Sequence, residues 1–161
     1  MRPLTELTPR RLTVLSGGTG SGKTRTCCDW SEQVLSHREP VLWLDGDQGF
    51  SPRKLARSSC FSEFFWGYVP STSRQAYNLA LAFLRLRVAG LIVLDSIDGL
   101  LPDRCEQQIW IKRFMPRLIG ALHRSESRFL CTSHQLPNDH KSALRTYAHQ
   151  HINLEDSYVV Y

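Results

Sequence analysis

The sequence predicts an α/β domain of three layers, in which a mostly parallel β-sheet lies between two layers of helices. Short apolar segments that favour strands alternate along the chain with segments of helical periodicity. The predicted strands are apolar on both faces, which is typical of a parallel sheet covered by helices on each side. The chain has 161 residues and no repeat, low-complexity segment or linker, so we expect a single domain over residues 1–161.

Five short segments carry the strand prediction, since each is rich in apolar residues and is bounded by polar residues, glycine or proline. They are RLTVLS at 11–16, VLWLD at 41–45, FFWGYV at 64–69, LIVLD at 91–95 and RFLCT at 128–132. We also expect two extended segments within 145–161, around a turn near Glu155 and Asp156.

Helical spacing of apolar residues predicts the other elements. Helices are expected at 23–36, 73–88 and 106–124, with one or two helical turns at 52–57. Pro116 falls inside the third helix and predicts a kink there, because proline has no N–H group to donate to the preceding turn.

Composition narrows the class of protein. Hydrophobic residues make up 42% and charged residues 22%, as in ordinary globular domains. No apolar run reaches the ~18 residues that a membrane span requires, and the amino terminus lacks a signal-peptide pattern, so we expect a cytoplasmic protein, or a nuclear one in a eukaryote, without a membrane partner. The chain has five cysteines, an odd number, and no pair of them has the spacing of a zinc site. We therefore expect neither a disulfide framework nor a zinc knuckle. The net charge of +5 suits a polyanionic partner.

The most specific motif lies between the first predicted strand and the first predicted helix. The segment SGGTGSGKTRT at 16–26 contains Gly17-x-x-x-x-Gly22-Lys23-Thr24, the pattern of a phosphate-binding loop. Glycines allow successive N–H groups to point at phosphate oxygens, and the following helix favours the anion. Lys23 is expected on the β- and γ-phosphates of ATP, and the Thr24 hydroxyl on Mg²⁺. The expected nucleotide contacts are Gly17, Gly18, Thr19, Gly20, Ser21, Gly22, Lys23, Thr24 and Arg25.

Asp95 is the second candidate for the nucleotide site. It ends the most apolar segment of the chain, LIVLD, which we expect to lie beside the strand that precedes the loop. A carboxylate at that position can hold Mg²⁺ through water, together with Thr24. The alternative is that Asp95 caps the next turn.

Three further segments resemble the core of the RecA/RadA recombinase superfamily. VLWLDGDQGFSPRKL is similar to that family's strand, acidic residue and short helix, and LIVLDSIDGLLP to its Walker B strand and the turn after it. QQIWIKRFMPRLIGALHRSESRFLCTSHQ resembles the family's long helix, next strand and terminal glutamine. The resemblance covers residues 11 to about 136, and more weakly the rest.

This resemblance implies a RecA-like ATPase in DNA recombination or repair. It gives Lys23 a catalytic role, places Asp47 as the carboxylate that orients the attacking water and Gln135 as the glutamine that senses the γ-phosphate, and lays Lys54 over the adenine. DNA-binding loops are expected at 101–107 and about 136–144. The basic residues near them, which are equally compatible with a solvated surface, are Arg104, His140, Lys141 and Arg145.

The sequence also departs from the family. Asp47 stands in place of a glutamate, His134 in place of an asparagine, and both expected DNA loops are short. The family's amino-terminal domain and later strands have no counterpart in this sequence. The resemblance therefore implies a minimal paralogue of low intrinsic ATPase activity, which binds single-stranded or junction DNA and works with a RecA-like partner or by self-association across the ATP site.

Two other functions remain open. Asp45 and Asp47 match the Asp-x-Asp of a small-molecule kinase such as shikimate kinase, although no arginine-rich lid is evident after Asp95. A scaffold subunit that binds ATP without hydrolysing it is the other alternative. His149 and His151 share a face of a predicted strand, but two histidines alone make a weak metal site.

Overall fold

A computed structural model describes residues 7–51, 55, 61–134 and 138–154, apart from the side chains of 138–142. Six strands form one sheet whose described pairs are all parallel. The strands are β1 (Leu12–Ser16), β2 (Val41–Asp45), β3 (Phe65–Tyr68), β4 (Leu91–Asp95), β5 (Arg128–Ser133) and β6 (Gln150–Asn153). Their order across the sheet is β3-β2-β4-β5-β1-β6. The prediction of an α/β fold with a parallel sheet is confirmed.

Seven α-helices and one π-helical turn connect these strands in the described part of the chain. They are α1 (Lys23–Ser36), α2 (Phe61–Phe64), α3 (Ser73–Arg85), α4 (Ile97–Leu100), α5 (Arg104–Ile109), the π-helical turn Trp110–Phe114, α6 (Met115–Leu122) and α7 (Asn138–Tyr147). None of these described helices is both long enough and apolar enough to cross a membrane.

The strands are buried on both faces because their side chains alternate between two separate cores. In β2, Leu42 and Leu44 belong to one core and Val41 and Trp43 to the other. Helix α1 buries its apolar side chains in the core with Trp43, whereas α3, α6 and α7 pack into the core with Leu42. The sheet therefore lies between helices on both sides, as the sequence predicted.

The order of the strands sets the position of a crevice. Helix α1 carries the chain from β1 toward the β3 edge of the sheet, and α7 carries it from β5 toward the β6 edge. These helices lie on opposite faces, as crossovers of one hand require. Because β1 and β5 are neighbours whose connections leave in opposite directions, their carboxyl ends form a topological switch point, where open α/β sheets bind ligands.

The helix predicted at 106–124 is interrupted as well as shifted. Helix α5 begins at Arg104, and the turn Trp110–Phe114 is π-helical, with the Met115 N–H donating to the Trp110 carbonyl. Pro116 follows at the start of α6. Proline cannot donate to the carbonyl of residue 112, so the widened turn just before it takes the place of the expected kink.

The prediction for 145–161 was wrong at its start. Residues 145–147 complete α7, because their apolar neighbour Leu144 faces the core at helical spacing. The strand prediction is confirmed at β6, which pairs with β1, and residues 155–161 lie outside the described part of the chain. Of the predicted turns at 52–57, only Leu55 is described, and it is fully buried.

His149 joins β6 to the sheet just before that strand begins. Its backbone N–H donates to the Leu12 carbonyl at 2.9 Å, and its ring Nδ1 accepts from the Leu12 N–H at 3.4 Å. The His149 ring is only slightly buried, and this partial burial lowers its pKa from the ordinary value; the nearby Arg11 and His123 lower this pKa further. The imidazole is therefore bound in its neutral form, because a protonated Nδ1 could not accept the Leu12 N–H.

This arrangement predicts a loss of stability in acid. As the pH falls below the ordinary pKa of histidine, about 6.5, the unfolded chain takes up the proton before the folded one does, so folding becomes less favourable. In His149→Asn the side-chain oxygen can still accept the Leu12 N–H but does not titrate. We expect urea unfolding of wild type to lose more free energy between about pH 7.5 and 5.5 than unfolding of this variant. Equal losses would contradict the role given to His149.

Candidate functional site

A glycine-rich loop at 17–22 follows β1 and leads into α1 at the switch point. Its glycines adopt backbone conformations that other residues avoid, with φ of 148° at Gly17, 81° at Gly20 and 90° at Gly22. A Cβ atom built on Gly20 or Gly22 would meet no atom within 4 Å. The outer side of the loop is therefore open, and a ligand can approach its backbone closely.

The amino terminus of α1 is suited to an anion. Gly22 is the residue before the first turn, no side chain caps this end, and the first turn contains no acidic residue. The partial positive charge of the helix terminus is therefore not offset by a carboxylate of that turn. Helix ends of this kind bind phosphate through backbone N–H groups.

Lys23 is held against this loop although its side chain is charged. The residue is only 3% exposed. Its Nζ donates to the carbonyl oxygens of Gly17 and Gly18, both at 2.6 Å, and to the Ser21 hydroxyl at 3.2 Å. These acceptors offset the cost of burying an ammonium group and keep it at the base of the loop.

Asp95 lies at the carboxyl end of β4 and is joined to two hydroxyl groups. Thr24 of α1 donates to Oδ2 at 2.8 Å, and Thr132 of β5 donates to Oδ1 at 2.6 Å. Burial raises the pKa of Asp95; the bonds from Thr132 and Thr24 oppose this rise, and the nearby carboxylates Asp47 and Asp45 add to it. The metal ligands expected from the sequence, Thr24 and Asp95, are thus in direct contact.

The expected neighbour of the Asp95 strand was wrong. Strand β5 lies between β4 and β1. Asp95 on β4 is still connected to the loop after β1, because Thr132 on β5 and Thr24 at the start of α1 both donate to its carboxylate. The sequence contains the polar residue at the end of an apolar strand, but nothing in it states which strands are adjacent.

Asp47 is fixed by a second set of hydrogen bonds beside Asp95. Its Oδ1 accepts from the Ser96 hydroxyl at 2.8 Å, and its Oδ2 lies 3.1 Å from His134 Nε2. The Gly46 N–H donates to the Asp95 carbonyl at 2.8 Å, which holds the turn after β2 against the end of β4. The peptide bond between Asp95 and Ser96 is cis. Ser96 and Thr132 are site residues that the sequence analysis missed.

This contact depends on two glycines. A Cβ on Gly99 would overlap Asp47 Oδ1 and lie 2.7 Å from the Gly46 carbonyl oxygen. A Cβ on Gly46 would overlap the Ser96 carbonyl oxygen and lie 2.8 Å from the Leu100 nitrogen. Any larger residue at either position would push Asp47 away from Asp95.

Asp45 and Asp47 have different surroundings. Asp45 accepts from the backbone N–H groups of Gly49 at 3.3 Å and Phe50 at 2.9 Å, so it holds the turn that follows β2. Asp47 is more exposed, and its carboxylate faces the His134 ring. The backbone N–H of His134 donates to Asp98 Oδ2 at 2.6 Å. Asp45 and Asp47 therefore do not form a pair of equivalent, free carboxylates.

The described part of the chain includes only some of the predicted site residues. Lys54 and Gln135 lie outside the described residues, as do the side chains of His140 and Lys141. Thr19, Gly20 and Arg25 are exposed around the loop, as a ligand contact requires.

The expected DNA loops were wrong in part, because both contain helix. Helix α5 begins at Arg104, where Asp103 caps it by accepting from the N–H groups of Cys105 at 2.8 Å and Glu106 at 3.1 Å. Helix α7 begins at residue 138, so Arg145 projects from a helix, and both arginines are exposed.

The side chains at this site fit Mg²⁺, which needs few protein ligands, better than a metal ion whose ligands all come from the protein. Among the described residues, no group of three or more His, Cys, Asp or Glu side chains could bind a metal ion, and His149 and His151 are no exception. Mg²⁺ usually takes one or two carboxylates and fills its other positions with water and substrate phosphates. One carboxylate and one hydroxyl beside a phosphate-binding loop meet that need.

Comparisons with known proteins add no relative. No protein-family model matches this chain, and no curated protein sequence matches it.

The raised pKa of Asp95 predicts that its negative charge destabilises the protein without a bound cation. A carboxyl whose pKa is higher in the folded state costs stability above that pKa, and the cost disappears as the pH falls and the folded state takes up the proton. We expect Asp95→Asn to be more stable than wild type in denaturant unfolding at neutral pH, with nucleotide and divalent cations absent. The gain should shrink toward acid.

Asp29→Asn on α1 is the control, because it removes the same charge from the helix surface. A fall in stability at neutral pH for Asp95→Asn alone would show that the ionised carboxylate stabilises the fold through Thr24 and Thr132.

Proposed function

We propose that this protein binds Mg²⁺·ATP at the loop 17–22, with the fold and site of a P-loop NTPase of the RecA-like kind, and hydrolyses it slowly in DNA recombination or repair. The observation that carries the proposal is the contact between the Thr24 hydroxyl and Asp95, at the start of a helix whose loop also holds Lys23. The side chains proposed to bind phosphate and Mg²⁺ therefore lie together at the topological switch point.

Each residue has a definite task in this proposal. Lys23 would turn from the carbonyl groups of Gly17 and Gly18 to the β- and γ-phosphates, which are better acceptors for an ammonium group. Thr24 and Asp95 would hold Mg²⁺. Bound Mg²⁺ supplies neutralisation of the phosphate charge that develops during transfer.

Asp47 is proposed to orient the water that attacks. Each carboxylate oxygen offers about two lone-pair sites, and one on each oxygen is taken by Ser96 or His134. The remaining sites can accept a hydrogen bond from water. Aspartate is one methylene shorter than glutamate, roughly 1.5 Å, so the turn after β2 must bring the carboxylate closer. The tight contact at Gly46 and Gly99 limits how far that turn can move.

The partners remain part of the proposal. Thr19, Arg25 and Asp47 are exposed, so the nucleotide edge is open to a RecA-like partner or a second copy that supplies a cation across the site. Lys54 and Gln135 keep their proposed roles at the adenine and the γ-phosphate. Single-stranded or junction DNA is the proposed nucleic acid, with Arg104, His140, Lys141 and Arg145 as candidate contacts.

A scaffold that binds ATP without hydrolysing it is the second candidate. The observation that favours it is that both oxygens of Asp47 already bond to Ser96 and His134. If these bonds persist with ATP bound and no water is held, the bound ATP would only stabilise an interface between subunits. The kinase alternative is less supported, because Asp45 is used by its own turn.

Nucleotide binding should depend on Lys23. Lys23→Ala removes charge-assisted bonds worth about 1.5–3 kcal/mol, which corresponds to a fall of roughly 10- to 100-fold in ATP affinity. Calorimetry with Mg²⁺·ATP measures this, and Lys112→Ala, which removes an exposed lysine from the π-helical turn, is the matched control. Equal affinities for wild type and Lys23→Ala would refute the assignment of the loop.

Hydrolysis should depend on Asp47 separately from binding. Asp47→Asn keeps the shape of the side chain but weakens its hold on water, and we expect turnover to fall about 100-fold or more while ATP affinity stays within about threefold. Steady-state phosphate release and calorimetry separate the two effects. Asp29→Asn is again the control for loss of charge. Unchanged turnover in Asp47→Asn would exclude this role and favour the scaffold.

A further inference from the structure

A cavity of about 600 Å³ lies between α3 and α6 and is lined by four arginines: Arg85, Arg87, Arg117 and Arg124. We call it the arginine groove. Both helices run back from the carboxyl ends of the strands, so their last turns reach the opposite, amino edge of the sheet. The groove is thus separate from the loop at 17–22.

The four guanidinium groups are available to a ligand. All four arginines are exposed, and within the described part of the chain none of their guanidinium groups has a carboxylate or other hydrogen-bond partner. No acidic residue lines the groove. Arg117 lies in the first turn of α6, and Arg124 lies just beyond its last residue, Leu122. Four like charges around one opening repel each other unless an anion lies between them.

Most of the apolar side chains that line the groove are already buried within the protein. Its floor includes Tyr77 and Leu84 of α3 and Ala121 of α6, and each of these residues is at most 9% exposed. The Tyr77 ring stacks on Phe114 with centroids 4.5 Å apart, so it is already packed within the protein. An amphipathic segment would gain little burial here, and a base would find no aromatic ring free for stacking.

Space for a ligand backbone is provided at one residue of α6. A Cβ on Gly120 would meet no atom within 4 Å. A side chain at this position can therefore fill the opening from α6 without a clash at its Cβ. The same open space lets a chain of anionic groups approach between the two pairs of arginines.

We propose that the arginine groove binds the phosphate backbone of a nucleic-acid strand, without reading its sequence. Arginine forks bind phosphate oxygens in pairs, and the four arginines offer contacts to successive phosphates. At the carboxyl edge of the sheet, Asp45, Asp47, Asp95 and Asp98 collect instead, which disfavours a polyanion there unless a cation is bound. The proposal extends the DNA role given above but does not depend on nucleotide binding at Lys23.

The test is fluorescence anisotropy of a labelled oligothymidylate with the full chain, without nucleotide, over a range of salt concentration. Arg117→Gln/Arg124→Gln should weaken binding at low salt at least about tenfold. It should also reduce the slope of log affinity against log salt by about 1.4, from two contacts at about 0.7 each. Arg38→Gln/Arg74→Gln, which removes the same charge from exposed arginines outside the groove, should change the slope little.

A steric variant tests the groove without changing charge. Gly120→Leu places a side chain into the opening and should weaken oligothymidylate binding at least about fivefold while thermal unfolding shows an intact fold, because leucine favours helix over glycine. Because the assay contains no nucleotide, a failure of the loop assignment would not be mistaken for a failure of this site.

Three results would overturn the proposal. The first is equal loss of binding in the groove and control double variants, which would indicate a general effect of net charge. The second is full binding by Gly120→Leu. The third is a preference for polyglutamate over oligothymidylate that the groove variants abolish, which would make this an acidic protein site. Similar affinity for oligothymidylate and oligoadenylate, lost in the groove variants, is the supporting result.

Discussion

The buried carboxylate of Asp95 is the interaction on which the described site depends. It accepts hydrogen bonds from Thr24 at the start of α1 and from Thr132 on β5, so one side chain joins a helix and two strands. Burying an ionised carboxylate costs free energy unless the carboxylate is hydrogen-bonded. The pKa of Asp95 is raised even with its two hydrogen bonds, so these bonds offset only part of the cost of burial. The protein retains at this point a negative charge that a bound cation would stabilise.

The second constraint is the close packing of two turns at the carboxyl edge. The turn after β2 and the turn after β4 approach so closely that Gly46 and Gly99 leave no space for a Cβ atom. Their contact sets Asp47 beside Asp95 and within reach of Ser96 and His134. Burial is the main cause of the raised pKa of Asp95, and the nearby Asp47 adds to it. The same proximity makes a shared role around one phosphate group geometrically possible.

The carboxyl ends and the amino ends of the strands differ in the charged residues near them. Aspartates gather at the carboxyl ends of the strands, where turns begin, whereas the four groove arginines lie on α3 and α6 or just beyond the ends of these helices. This separation follows from the parallel topology, because every described strand points the same way and the helices between them return. Part of the basic charge that gives the chain its net +5 is therefore concentrated at the amino ends of the strands.

The sequence alone determined the parallel α/β class, the phosphate-binding pattern of the loop and the importance of Asp95, because these depend on local periodicity and on spacing within short segments. Tertiary structure decided which strands are neighbours, and hence that Thr132, on the inserted β5, bonds to Asp95 on β4. It also decided that residues expected as loops belong to α5 and α7, since their apolar side chains find a core to face. The arginine groove could not be foreseen either: its arginines come from helices separated along the chain by a strand, and only packing of α3 on α6 places them around one cavity.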